Sequence, residues 1–143
     1  MLTNKKPIRS FRDLHIYQNT YKAAIIIMTR IIPRLPDNEK FDLKDQLSRS
    51  CKAIPRLIAE GYAKRHQRAG FQKYLDDALA ESNETLVSLE QVKDIYHNFV
   101  DKNLCQELVK IYDQSSRQIY TLSQTWQNFK SNKTNFHIHK PSS

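Results

Sequence analysis

Glycine is nearly missing from this chain: Gly61 and Gly70 are the only two in 143 residues. Sheet-rich domains spend glycine on many turns, so its scarcity points to long helices with few connections. Two glycines also cannot build a phosphate-cradling loop. Cysteine is equally scarce. Cys51 and Cys105 form neither a CxxC pair nor a metal-ligand spacing, and each falls where a helical pattern wants an apolar side chain. Both are read as reduced core residues. Long apolar runs are absent: the longest cluster, Ala23 to Met28, falls far short of the roughly 18 residues a membrane span needs. The first residues are polar and basic with no apolar region behind them, so no signal peptide is read. A cytoplasmic protein is the expectation from these absences.

What is present is a chain of single-domain length with a net charge of +8. The charge is polarised. Residues 1–40 and residues 41–75 each carry eight Lys/Arg against three Asp/Glu. Residues 76–100 carry one lysine against six acids, and residues 101–143 carry six Lys/Arg against three acids. Such segregation suggests a directed electrostatic partner, either nucleic acid or the acidic third helix of another copy.

Hydrophobic periodicity predicts four helices. The first starts near Ser10 to Asp13, with Leu14, Tyr17, Tyr21, Ala24, Ile25, Met28, Ile31, Ile32 and Leu35 as its buried stripe. Pro33 and Pro36 stop it. The second begins near Phe41 and buries Leu43, Leu47, Cys51, Ile54 and Ile58, with a kink expected at Pro55. It ends between Tyr62 and His66. The third runs from about Gly70 to His97 on Phe71, Leu75, Ala78, Ser82, Leu86, Leu89, Val92 and Tyr96. Asp101 is a plausible N-cap for the fourth, whose seam is Leu104, Leu108, Ile111, Ser115, Ile119, Leu122, Trp126 and Phe129. The expected architecture is an all-α, antiparallel up-and-down four-helix bundle over residues 11–129. Residues 1–10 are read as a mobile arm and residues 130–143 as a disordered tail.

Catalytic chemistry is hard to find. A di-metal carboxylate site in a bundle needs Glu-x-x-His pairs, and no Glu here is followed by His three residues later. Glu81 and Glu84 share a helix face without a histidine to complete a set. His15, His66 and His97 read as surface or helix-end residues, and the alternating His137 and His139 make a poor metal site. The chain is therefore expected to be no enzyme and to need no cofactor or metal.

The basic residues say more. Arg49, Lys52 and Arg56 step by three and four along the second helix, opposite its apolar stripe. Lys64, Arg65 and Arg68 continue into the turn and Lys73 opens the next helix. Such a ridge can neutralise several phosphates; the competing reading is a solvated face, or ion pairs with Asp76, Asp77, Glu81 and Glu84 of another copy. The aromatic residues are assigned to the core or a subunit contact and are not interleaved with the ridge, so backbone contact rather than base stacking is expected.

Four stretches together resemble a known family. Phe11 to Gln18 (FRDLHIYQ) is similar to its opening F-x-D-L-x-[VI]-[WY]-x, and Phe41 to Ser50 (FDLKDQLSRS) to [YF]-x-L-x-x-Q-[IL]-x-R-[AS]. Ile54 to Arg65 (IPRLIAEGYAKR) is similar to I-P-x-N-I-A-E-G-x-x-[RK]-x, and Phe71 to Thr85 to F-x-x-F-L-x-x-A-x-G-S-x-x-E-x. Leu57 replaces the usual Asn, and Ala80 and Glu81 stand where Gly and Ser are common. The pattern is that of the four-helix-bundle proteins encoded in intervening sequences of bacterial 23S ribosomal RNA genes, with relatives that are accessory variability determinants of diversity-generating retroelements. The resemblance implies a non-catalytic homopentamer that binds nucleic acid, RNA above all, through a basic surface. It implies, as the alternative, an interaction scaffold that docks a reverse transcriptase.

Overall fold

The structure, a computed structural model, describes the backbone of residues 7–39 and 42–139 and the side chains of residues 7–38 and 42–126. Helix α1 spans His15–Ile26, α2 Leu43–Ala63, α3 Gly70–Ile95 and α4 Lys102–His139. No strand occurs among the described residues. The all-helical, four-helix expectation holds.

A short 3₁₀ turn, Phe11–Asp13, precedes α1. The Ser10 hydroxyl accepts from the Arg12 N–H (3.1 Å), and the Asp13 carboxylate accepts from the N–H groups of Arg9 (2.8 Å) and Ser10 (3.1 Å). These bonds occupy donors that a helix start leaves open. Residues 1–6 of the expected arm lie outside the described residues. Beyond Ile26 the chain winds through a π-helical turn, Ile27–Ile31, and a 3₁₀ turn, Ile32–Arg34. Pro33, without an N–H, cannot continue the α ladder. Helix α2 is a single helix with Pro55 buried inside it.

Helix α2 packs against α3, α3 against α4, and α1 against both α2 and α4. Buried hydroxyls mark the register. Thr85 Oγ1 donates to Ser50 Oγ (2.8 Å) where α3 meets α2. Between α3 and α4, Ser82 and Ser116 share a 2.7 Å bond, Ser116 donates to Asn83 (2.9 Å) and Ser123 donates to Asp76 (2.9 Å). Partner numbers fall on one helix as they rise on the other. Each of these buried hydroxyls has a side-chain partner on the facing helix, which removes most of the cost of burying it.

The α2 stripe is as read from the sequence: Leu43, Leu47, Cys51, Ile54 and Ile58 are all buried. On α3, Phe71, Leu75, Ala78, Ser82, Leu89 and Val92 are buried, with Leu86 and Tyr96 half-buried. One reading needs correction. The α1 stripe is rotated in part: Ala24, Ile31 and Leu35 are buried as read, but Ile16, Thr20, Ala23 and Ile27 join them in the core, while Tyr21 and Ile25 are about half exposed, at 49% and 48%. The α1 sequence is apolar on two sides, and periodicity alone did not say which side meets the other helices. On α4 the deepest residues are Cys105, Leu108, Tyr112, Ser115 and Ile119, with Leu104, Ile111, Leu122 and Trp126 at the margin. Helix α4 runs on to His139, past its last apolar seam position. Once a helix is nucleated each further residue adds a backbone hydrogen bond, so it can outrun its apolar stripe. Residues 140–143, Phe41, and the side chains of Phe129, His137 and His139 lie outside what is described.

Candidate nucleic-acid interface

Because Leu47, Cys51, Ile54 and Ile58 turn inward, the 100° step of the helix turns Arg49, Lys52 and Arg56 outward, and all three are exposed. They differ in how much of their charge is already answered. Arg49 Nε lies 3.0 Å from the Asp45 carboxylate one turn earlier, and its charge also acts on Glu81 of α3. Among the described residues no ion pair involves Lys52 or Arg56.

The cations that follow form a second group at the α2–α3 turn. Lys64 Nζ donates to the Tyr74 hydroxyl (2.9 Å) and sits 5.1 Å from that ring's centre. The bond to Tyr74 raises the lysine's pKa. Arg65 donates to the Tyr62 carbonyl (2.8 Å) with its guanidinium 4.0 Å from the Tyr62 ring centre. The bond and the ring together hold the guanidinium in place. Arg68 and Lys73 are exposed. Six of the seven predicted basic residues are thus exposed and Arg65 is half-buried, in two groups separated by the last two turns of α2.

The turn itself depends on both glycines. A Cβ at Gly70 would lie 2.2 Å from the Lys64 carbonyl oxygen, and one at Gly61 would lie 2.6 Å from the Tyr74 Cβ. Ala69 between them adopts φ 59°, a left-handed conformation uncommon outside glycine and asparagine.

The structure brings something to the first group that the sequence reading did not. A groove of about 490 Å³ runs between α1 and α2. One wall is Arg49, Lys52, Pro55, Arg56 and Ala59; the other is Phe11, Tyr17, Tyr21, Ala24, Ile25 and Met28. The Tyr17 and Tyr21 rings stack at 5.7 Å and 29°, Phe11 meets Tyr17 edge-on at 4.9 Å, and the Arg12 guanidinium covers Phe11 at 4.5 Å. The expectation that no aromatic residues accompany the ridge is thus overturned. They come from the neighbouring helix, some 30 residues earlier in the chain. Their signal is the second apolar side of α1, whose aromatic residues the sequence assigns to the core or a subunit contact.

Of the other candidates, Glu81 and Glu84 sit together on α3, and partial burial and the Glu84 charge raise the Glu81 pKa. No cluster of three or more metal-ligating side chains forms among the described residues. His15, His66 and His97 are exposed. No helix among the described residues is long and apolar enough to cross a membrane.

The family model of the 23S rRNA-intervening sequence protein matches residues 12–129. The chain belongs to that family. The match takes in α1 to α3, where the resembling stretches lie, and extends over α4, where only the helical pattern had suggested it. No curated protein and no solved structure matches the chain. The most specific family stretch, Ile54 to Gly61, now has a packing reason. Ile54 and Ile58 are fully buried, Pro55 lies at the groove, and Gly61 lets α3 approach. The departures from the family pattern avoid the deepest core: Ala80 is exposed, and Leu57 and Glu81 are half-buried.

Proposed function

We propose that this protein is a non-enzymatic, oligomeric nucleic-acid-binding protein whose basic residues grip the phosphate backbone, RNA being the preferred partner. The observation that supports it most is the outward placement of Arg49, Lys52, Arg56, Lys64, Arg65, Arg68 and Lys73. Lysine and arginine side chains on the outside of a helix and of the turn that follows it present charge to phosphates and release condensed counterions on binding. The membership in a family named for a ribosomal RNA intervening sequence fits this reading.

The oligomer is taken to be the ring of five that the family resemblance implies, and the protein is taken to be cytoplasmic. Exposed Val87 and Ile95 on α3 and Phe99 just beyond it are apolar surface that a second copy would cover. Light scattering tests the mass. Gel shifts with RNA of mixed sequence across a salt series test the binding: affinity should fall steeply with salt, and Arg56→Glu should weaken all sequences alike. Binding indifferent to salt and to that change would remove the reading.

A further inference from the structure

We propose that the groove between α1 and α2 is a stacking site for unpaired bases, so that the protein holds single-stranded RNA in preference to duplex. This rests on the nucleic-acid reading above and adds to it what the ridge would recognise. The geometry has two parts. Tyr21 presents a half-exposed ring, supported from behind by Tyr17 and Phe11 in an unbroken aromatic series. Across the groove stand Arg49, Lys52 and Arg56, of which the last two have no ion pair among the described residues. Aromatic faces beside a row of cations are what sequence-tolerant single-strand binders combine: the rings take bases and the cations take the linking phosphates.

A duplex cannot use such a site. Its base faces are covered by their neighbours, so it can reach the cations but not the tyrosines. A strand with free bases reaches both. Packed helix axes lie about 8–10 Å apart, which leaves a surface trough suited to one strand. The main competitor for this surface is a second copy of the chain, because the groove is largely apolar.

The test uses the full chain and three RNA probes of equal length and charge per strand: an unstructured single strand, the same strand abasic at its central positions, and a duplex. The single strand should bind about ten-fold or more tightly than the abasic strand. Tyr21→Ala should erase that difference while leaving duplex binding unchanged, and Tyr21→Phe should retain it. The particle mass of each variant is measured alongside. Equal affinity for the intact and abasic strands, with salt-dependent binding preserved, would overturn the stacking site and leave the backbone reading standing. Failure of all three probes to bind would remove both. A fall in particle mass caused by Tyr21→Ala would assign the groove to a subunit contact and likewise overturn the proposal.

Discussion

Gly61 on α2 and Tyr74 on α3 approach so closely that a Cβ on residue 61 would lie 2.6 Å from the Tyr74 Cβ and 3.1 Å from the Phe71 ring. Two helices meet backbone to side chain there, one turn from the connection that carries Lys64, Arg65 and Arg68. The same tyrosine receives the Lys64 hydrogen bond on its hydroxyl. The packing of α2 on α3 and the placement of the turn cations therefore depend on the same contact.

Gly61→Ala should push α3 away, since the clashing atom belongs to a Cβ and not to a flexible tip. Overpacking of this kind costs about 1–3 kcal/mol. Urea unfolding followed by helical circular dichroism should show the lower midpoint. An unchanged midpoint would mean that the helices sit further apart than described.

Ala69→Gly should act the other way. At φ 59° the alanine Cβ crowds its own backbone, and glycine does not. Part of the relief is offset by the greater freedom of glycine in the unfolded chain, leaving a net gain of about 0.5–1 kcal/mol. Thermal unfolding of the two proteins side by side reads the difference.

Tyr112 is fully buried on α4, and its hydroxyl has no hydrogen-bond partner among the described residues. Burial pushes its pKa up. Removing an unsatisfied buried hydroxyl spares its desolvation cost of about 1–3 kcal/mol. Tyr112→Phe should thus be neutral or stabilising. A clear loss of stability would show that the hydroxyl has a partner.

Burial also raises the Cys51 thiol from an ordinary 9.0 to about 11, against a smaller opposite effect of the Lys52 charge. The unfolded chain then releases its thiol proton at lower pH than the folded one. The stability this contributes is fully present below pH 9 and is lost as pH rises toward 11. Unfolding free energy measured from pH 8 to 11 should decline. Cys51→Ala, although less stable overall, should flatten that decline; Tyr112, Cys105 and Lys64, shifted in the same direction, contribute to what remains. At neutral pH the thiol should resist alkylation until the protein unfolds.

Within the ridge, Lys52→Glu and Arg56→Glu should each weaken RNA binding more than Arg49→Glu. Arg49 already shares its charge with Asp45 at 3.0 Å. The salt dependence of binding for each variant, measured by fluorescence anisotropy, should flatten in the same order. Equal effects at all three positions would mean that the Asp45 pair opens on binding.

The sequence by itself determined the four helices, the inward sides of α2 and α3, and the outward placement of Arg49, Lys52 and Arg56 on α2. Those follow from the 3.6-residue period: where one side of a helix is clearly apolar and the other charged, burial leaves a single choice of orientation. Helix α1 offered no such choice, because Ile16, Ala23, Ile27 and Ile31 on one side compete with Tyr17, Tyr21, Ile25 and Met28 on the other. Which set met the core depended on the surfaces of α2 and α4, contacts distant in sequence that no local pattern encodes. Only the tertiary structure set three aromatic rings across from the cations of α2, since that pairing belongs to two helices and is written in neither.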